Sequence, residues 1–211
     1  MTTQRRISIP RERLAPWLEG FTARHGSCAV RATVDRLEVS AADGAEAVIR
    51  VPFPPLAEPA DGVPALLRHV SSDRRIGALL VRKGGYAVGI FAGATLRTSK
   101  VGSSYVQGKT KAGGWSQQRY ARRRDNQSRK AYADAADEVA RLLLPERDSV
   151  EAIMTGGDKS ALTAVLADPR LLPLAELVHP EVLAVPDPRL RVLTAFPEQF
   201  LAVRIELNEL A

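Results

Sequence analysis

A mixed-sheet α/β fold is what this sequence predicts, and three observations in its 211 residues predict it. IGALLVRKGGYAVGIFAGATL, from Ile76 to Leu96, holds two β-rich runs joined at Lys83-Gly84-Gly85, and a Gly-Gly pair suits the two-residue turn of a hairpin. Trp115 to Leu144 runs for 30 residues without proline or glycine and is stopped by Pro145, which predicts one helix about 43 Å long. Strand-like and helix-like segments then alternate to the end of the chain, the pattern of a sheet packed with helices.

Taken in order, the opening MTTQRRISIPRERLAPW carries Arg5, Arg6, Arg11 and Arg13 and reads as a solvated basic face. Residues 27–53 read as two or three short strands: CAVRATVDRLEVSA alternates apolar and polar positions, and AVIRVPF follows a turn. Five prolines in PFPPLAEPADGVP predict a loop, and Ala65 to Ser71 a short helix. After the hairpin, residues 98–114 show no apolar periodicity and are rich in Gly, Ser and Thr. They predict a long, mobile, basic loop, and loops of that length are usually functional or disordered.

Ser116 is the expected N-cap of the long helix. Its first half, WSQQRYARRRDNQSRK, is polar and basic; its second, AYADAADEVARLLL, spaces Ala131, Ala135, Val139 and Leu142 by three and four, an amphipathic face for a sheet. The helix is therefore expected to be anchored by its C-terminal half, with the N-terminal half projecting toward a partner. VEAIMTGG reads as a strand, DKSALTAVLAD as a helix and FLAVRIELNEL as a closing strand, while LLPLAELVHPEVLAV and LRVLTAFPEQ are broken by prolines and fit either type. Residues 1–211 are read as a single domain.

Apolar residues make up 45% and charged residues 26%, the balance of a globular chain. No window approaches 18 uninterrupted apolar residues, so no membrane partner is expected. The opening segment lacks an apolar signal-peptide core, and Cys28, the single cysteine, permits no internal disulfide; the expected location is cytoplasmic. Cys28 reads as a core residue. His25, His69 and His179 show no evident partner, no metal-ligand spacing with Cys28 and no Ser-His-Asp pattern, so neither metal nor cofactor is expected. Gly156-Gly157-Asp158-Lys159-Ser160 lacks the phosphate-loop spacing GxxxxGK[ST] and reads as a strand-to-helix turn capped by Asp158, with a nucleotide site there as a minor alternative. No oligomer is expected.

The charge is more selective. Residues 97–130 hold ten Lys/Arg and one acid, Asp125, leaving 20 bases against 23 acids elsewhere, so the whole +6 excess lies in one sixth of the chain. A field confined in this way suits a polyanionic partner. Within GKTKAGGWSQQRYARRR, Lys109, Lys111, Arg119, Arg122, Arg123 and Arg124 can neutralise phosphates, as can Lys100 just before it. Gly113 and Gly114 let the backbone approach a ligand closely, and Trp115, Tyr120 and Tyr105 can stack on unpaired bases.

At these residues the sequence resembles a family. A Gly-Gly doublet followed by a helix reading SxxRYARRR is similar to the GGQ domain at the centre of archaeal and eukaryotic peptide-chain release factors. VGSSYVQGKTKAGGWSQQRYARRRDNQ resembles more closely the Vms-like release factors, bacterial relatives of the ribosome quality-control hydrolase. The likeness is specific over about 97–144 and weaker over 74–96. It implies an RNase H-like core, and as partners the large ribosomal subunit, ribosomal RNA and peptidyl-tRNA, whose peptide ester would be hydrolysed. Cleavage at the tRNA 3′ end is a variant that the resemblance equally allows. A non-catalytic ribosome- or RNA-binding factor with the same loop and helix is the alternative.

One departure matters: aligned on RYARRR, the position of the GGQ glutamine falls on Trp115. Gln107, inside the loop and followed by Gly108, resembles the loop glutamine of the Vms-type domain and is the favoured catalytic residue; Gln117, beside Gln118 at the helix start, is the other candidate.

Overall fold

The structure is a computed structural model that describes residues 5–83, 85–103 and 115–211, and over 115–128 it describes the backbone. The contacts divide the chain into two compact units, residues 1–73 with 197–211 and residues 74–196, a division that the reading of 1–211 as one domain does not draw.

The first unit is built on a five-stranded antiparallel sheet of β1 (Arg5–Ile9), β10 (Val203–Leu207), β4 (Glu46–Arg50), β3 (Arg36–Ala41) and β2 (Cys28–Ala32), in that order. Alternation along the strands sends Leu37, Val39, Ala47, Ile49, Val203 and Ile205 to one face, where all are buried. That face packs with Leu14, Leu18 and Phe21 of α1 (Leu14–His25) and Leu66 and Val70 of α2 (Val63–Ser71). Cys28 lies partly buried at the edge of this core, its thiol donating to the Gly26 carbonyl at 3.3 Å.

Three sequence-level expectations change here. Arg11 is not a solvated charge: its side chain is 16% exposed and bonds Asp73 at 3.0 Å and the carbonyls of Val70 and Ser72, tying off the end of α2. His25 has partners, with Nδ1 2.8 Å from Asp43 Oδ2 and its ring against Phe21. His69 Nε2 lies 2.7 Å from the Pro52 carbonyl.

The second unit holds the sheet β7 (Thr95–Ser103), β6 (Gly85–Ala92), β5 (Arg75–Arg82), β8 (Ala152–Gly157) and β9 (Val178–Leu183). β5 pairs parallel with β8 and β8 with β9, whereas β6 is antiparallel to both of its neighbours. The spatial order is thus three-two-one-four-five with only the second strand reversed, the RNase H-like arrangement. The hairpin forms as expected, Arg82 pairing with Gly85.

α3 (Trp115–Leu143) and α4 (Lys159–Leu166) cover one face of this sheet. Ala135, Val139 and Leu143 of α3, at 1% exposure or less, pack with Leu79, Val81, Val88 and Ile90. Gly77 has no side chain because Leu143 and Ile153 occupy the space where one would stand. On the other face α5 (Leu190–Ala195) lies against β6 and β7, with α6 (Pro197–Phe200) following it in the chain. The helix starts at Trp115, so Ser116 lies inside it and not at its cap. Asp158 occupies the N-cap position of α4 without a side-chain cap bond; its carboxylate faces Arg82 at 3.6 Å. His179 Nδ1 accepts from the Glu181 N–H at 3.3 Å.

Because α3 is held by these apolar contacts, Leu143→Ala is expected to cost about 2–5 kcal/mol, the price of a buried leucine replaced by a cavity. Urea unfolding of the purified protein measures it, and a loss under 1 kcal/mol would show that Leu143 is not an anchor.

Candidate RNA interface and its stem

β7 is longer than the sequence suggested. Residues 98–103, expected as loop, continue the strand, with Val88 opposite Lys100 and Gly85 opposite Ser103. β7 is an edge strand, so one side of it meets no further strand and a polar composition is tolerated. Tyr86 is opposite Gly102, and a Cβ on Gly102 would overlap the Tyr86 ring. The glycine is therefore required near the end of β7. Burial, and then the carboxylates of Glu138, Asp134 and Asp137, push the Tyr86 phenol above its ordinary pKa, so it stays a neutral O–H beneath the stem.

The stem ends near one further cation: Lys83, in the β5–β6 turn, is exposed and precedes by two residues Gly85, the strand partner of Ser103. Arg82 points the other way: it approaches Asp158 at 3.6 Å and Asp187 at 3.9 Å and donates to the Val185 carbonyl at 3.3 Å. Lys83 and the Tyr86–Gly102 pair were missed at the sequence level. An aromatic residue just after a hairpin turn and a glycine in the next strand were the available signal.

Of the candidate residues, Lys100 lies exposed on β7. Gln107, Lys109, Lys111, Gly113 and Gly114 lie outside the described residues, as does Tyr105. Trp115, Gln117, Arg119, Tyr120, Arg122, Arg123 and Arg124 all fall in the N-terminal half of α3. Positions 119, 122 and 123 recur at the helical spacing of three and four, which places them on one side of the helix. From Trp115 to the buried Ala131 the helix rises about 24 Å.

The anchored half is braced laterally. Arg170 reaches Asp137 of α3 and Asp168, both at 2.7 Å. Its side chain and backbone N–H bond the Asp168 carboxylate and lower its pKa to about 2. Among the described residues no group of three or more His, Cys, Asp or Glu could hold a metal, and no helix is long and apolar enough to cross a membrane.

A mixed sheet whose edge strand β7 is followed in the chain by a long helix with a basic N-terminal half is the plan of a release-factor-type domain. Residues 74–206 match the Actinobacteria/chloroflexi VLRF1 release factor family, and the chain belongs to that family. Among solved structures the chain is similar to an archaeal translation termination factor, aRF1, at 15% identity over 95% of this chain and 67% of that one, with a TM-score of 0.44. It is also similar to an archaeal protein at 15% identity, covering 73% of this chain and under half (47%) of that one, with a TM-score of 0.40. No curated protein matches the chain in sequence.

The Asp168 carboxylate has a folded pKa lowered from 3.8 to about 2, so the stability it contributes is complete above pH ~4 and is lost as pH falls through about 2. Arg170→Ala is expected to remove that acid dependence, read as a smaller drop in melting temperature between pH 5 and pH 2.5. An unchanged pH profile in the variant would contradict the bracing role.

Proposed function

We propose that this protein hydrolyses peptidyl-tRNA on stalled ribosomes or large subunits, as a rescue factor acting in the cytoplasm. The observation that carries the reading is the confinement of the positive excess to residues 97–130, in a chain of a release factor family. The peptidyl-transferase centre is a cavity of RNA, and a segment that enters it must neutralise phosphate while presenting little bulk. Lysines 109 and 111, glycines 113 and 114 and the arginines of α3 supply those two properties.

In the reaction, water attacks the ester carbonyl carbon, the bond from that carbon to the terminal ribose oxygen breaks, and the ribose oxygen takes up a proton. No titrating base is needed from the protein. The Gln107 amide orients the water, and a backbone N–H of the loop stabilises the oxyanion, each contact worth about 2–4 kcal/mol. Gln117, in the first turns of α3, is the alternative for that role. Trp115 at the release-factor glutamine position supports the second reading, a binding factor without hydrolytic activity.

Release of labelled peptide from peptidyl-tRNA on purified large subunits separates the readings. Gln107→Ala is expected to lower the rate about 10²–10³-fold, the scale of one lost preorganised donor, with subunit binding nearly unchanged. Gln117→Ala should cost little. The reverse ranking moves the site to the helix start. Release unchanged by either substitution rules out the glutamine mechanism, and no release by the parent chain, with subunit binding abolished by charge reversal at Arg119, Arg122 and Arg123, establishes the non-catalytic factor instead.

A further inference from the structure

Among the described residues, no helix of the first unit covers the second face of its sheet. Strand register fixes its membership: Arg6 of β1 faces Glu206 of β10, Glu206 faces Val48 of β4, Val48 faces Glu38 of β3, and Glu38 faces Arg31 of β2. Period-two alternation puts Arg36, Arg50 and Arg204 on the same side. Each of the five strands therefore contributes one arginine to one open face, across about 19 Å. The side chains of Arg6, Arg50 and Arg36 are 77%, 50% and 42% exposed.

The charge of the unit is segregated onto this face. Residues 1–73 and 197–211 carry ten arginines, no lysine and twelve acids. Five of the arginines but only three acids, Glu38, Glu46 and Glu206, lie on the open face, making it +2 while the rest of the unit is −4. Glu206 lies 3.7 Å from Arg6 and 3.5 Å from Arg50, and Glu38 is 2.7 Å from Arg36, so the carboxylates hold guanidinium groups in place. Arg36 and Arg50 are nevertheless direct cross-strand partners. Like charges in that position destabilise a sheet, and an anion laid over them relieves the repulsion.

We propose that this face binds the phosphate backbone of structured RNA, as a second RNA-contacting surface separate from the basic loop and helix. Guanidinium groups recognise phosphate through paired N–H donors, and the unit uses arginine to the exclusion of lysine. The only large apolar side chain on the face is the half-buried Val48. The face thus lacks the aromatic or aliphatic anchor of a protein–protein hot spot, and equally the aromatic platform that single-stranded bases need. A polar, positive surface fits the backbone of a folded RNA.

The test is binding of the full chain to a fluorescent RNA hairpin over a salt series. The release reading can fail without affecting it, because no peptidyl-tRNA turnover is read. Substituting Arg31, Arg36 and Arg50 by Gln is expected to reduce the slope of log affinity against log salt by about 2–3, one counterion per lost phosphate contact, and the triple Lys variant to keep most of it. Arg6→Gln with Arg31→Gln, on the two outer strands and clear of the Arg36–Arg50 pair, should lower the slope by about 1–2 and guards against misfolding of the triple variant. Unchanged slopes in Gln variants that melt like the parent would overturn the proposal. If those variants lose binding to poly-glutamate while hairpin binding persists, the face belongs to an acidic protein, which overturns it equally.

Discussion

Everything in the second unit depends on how half of one helix is buried. Ala135, Val139 and Leu143 of α3 lie against the β5–β6 hairpin, with the small residue first and the larger ones toward the end of the helix. Each leucine or valine buried there contributes on the order of 1.5–3 kcal/mol. The contact described lies in the C-terminal half, whose sequence is apolar, whereas Gln117 to Lys130 is rich in arginine. Neither half can take the other's role. Arginines at 135 or 139 would bury unpaired charge, and a second apolar stripe at 119–123 would have no phosphate to offer itself to.

The second requirement is a defined place for the loop to leave the sheet. β7 reaches Ser103 because β6 pairs with it to the end, and Gly102 admits the Tyr86 ring at that point. The tyrosine is held between strand and helix, with the α3 carboxylates disfavouring its ionisation. The stem is thus tied to the same helix that carries the arginines.

Much of this was legible in the sequence. The hairpin announced itself by Lys83-Gly84-Gly85, the long helix by its freedom from proline and glycine, and its two halves by the switch from arginine to alanine and leucine. The sheet order followed only from the family resemblance, since periodicity says nothing about which strands pair. What stayed hidden was hidden for physical reasons. Pro16 and Gly20 interrupt the pattern of α1, and β1 offers only two isoleucines among arginines. β9 contains Pro180, acceptable because β9 is an edge strand with no neighbour for the missing N–H on one side. The polar end of β7 looked like loop because an exposed edge needs no apolar alternation. The candidate glutamines were legible as residue types only: a sequence can show that Gln107 sits in a glycine-rich basic stretch, and the ranking of Gln107 over Gln117 rests on the greater reach expected of a residue outside a helical turn.

The division of α3 into an anchored half and an RNA-facing half is tested most directly by amide hydrogen exchange with and without purified large ribosomal subunits. Amides of residues 131–143 are expected to be strongly protected already in the free protein and to change little, while those of 115–128 gain protection when subunits are added. Protection gained mainly at 131–143, or nowhere along the helix while the subunits are bound, would contradict it.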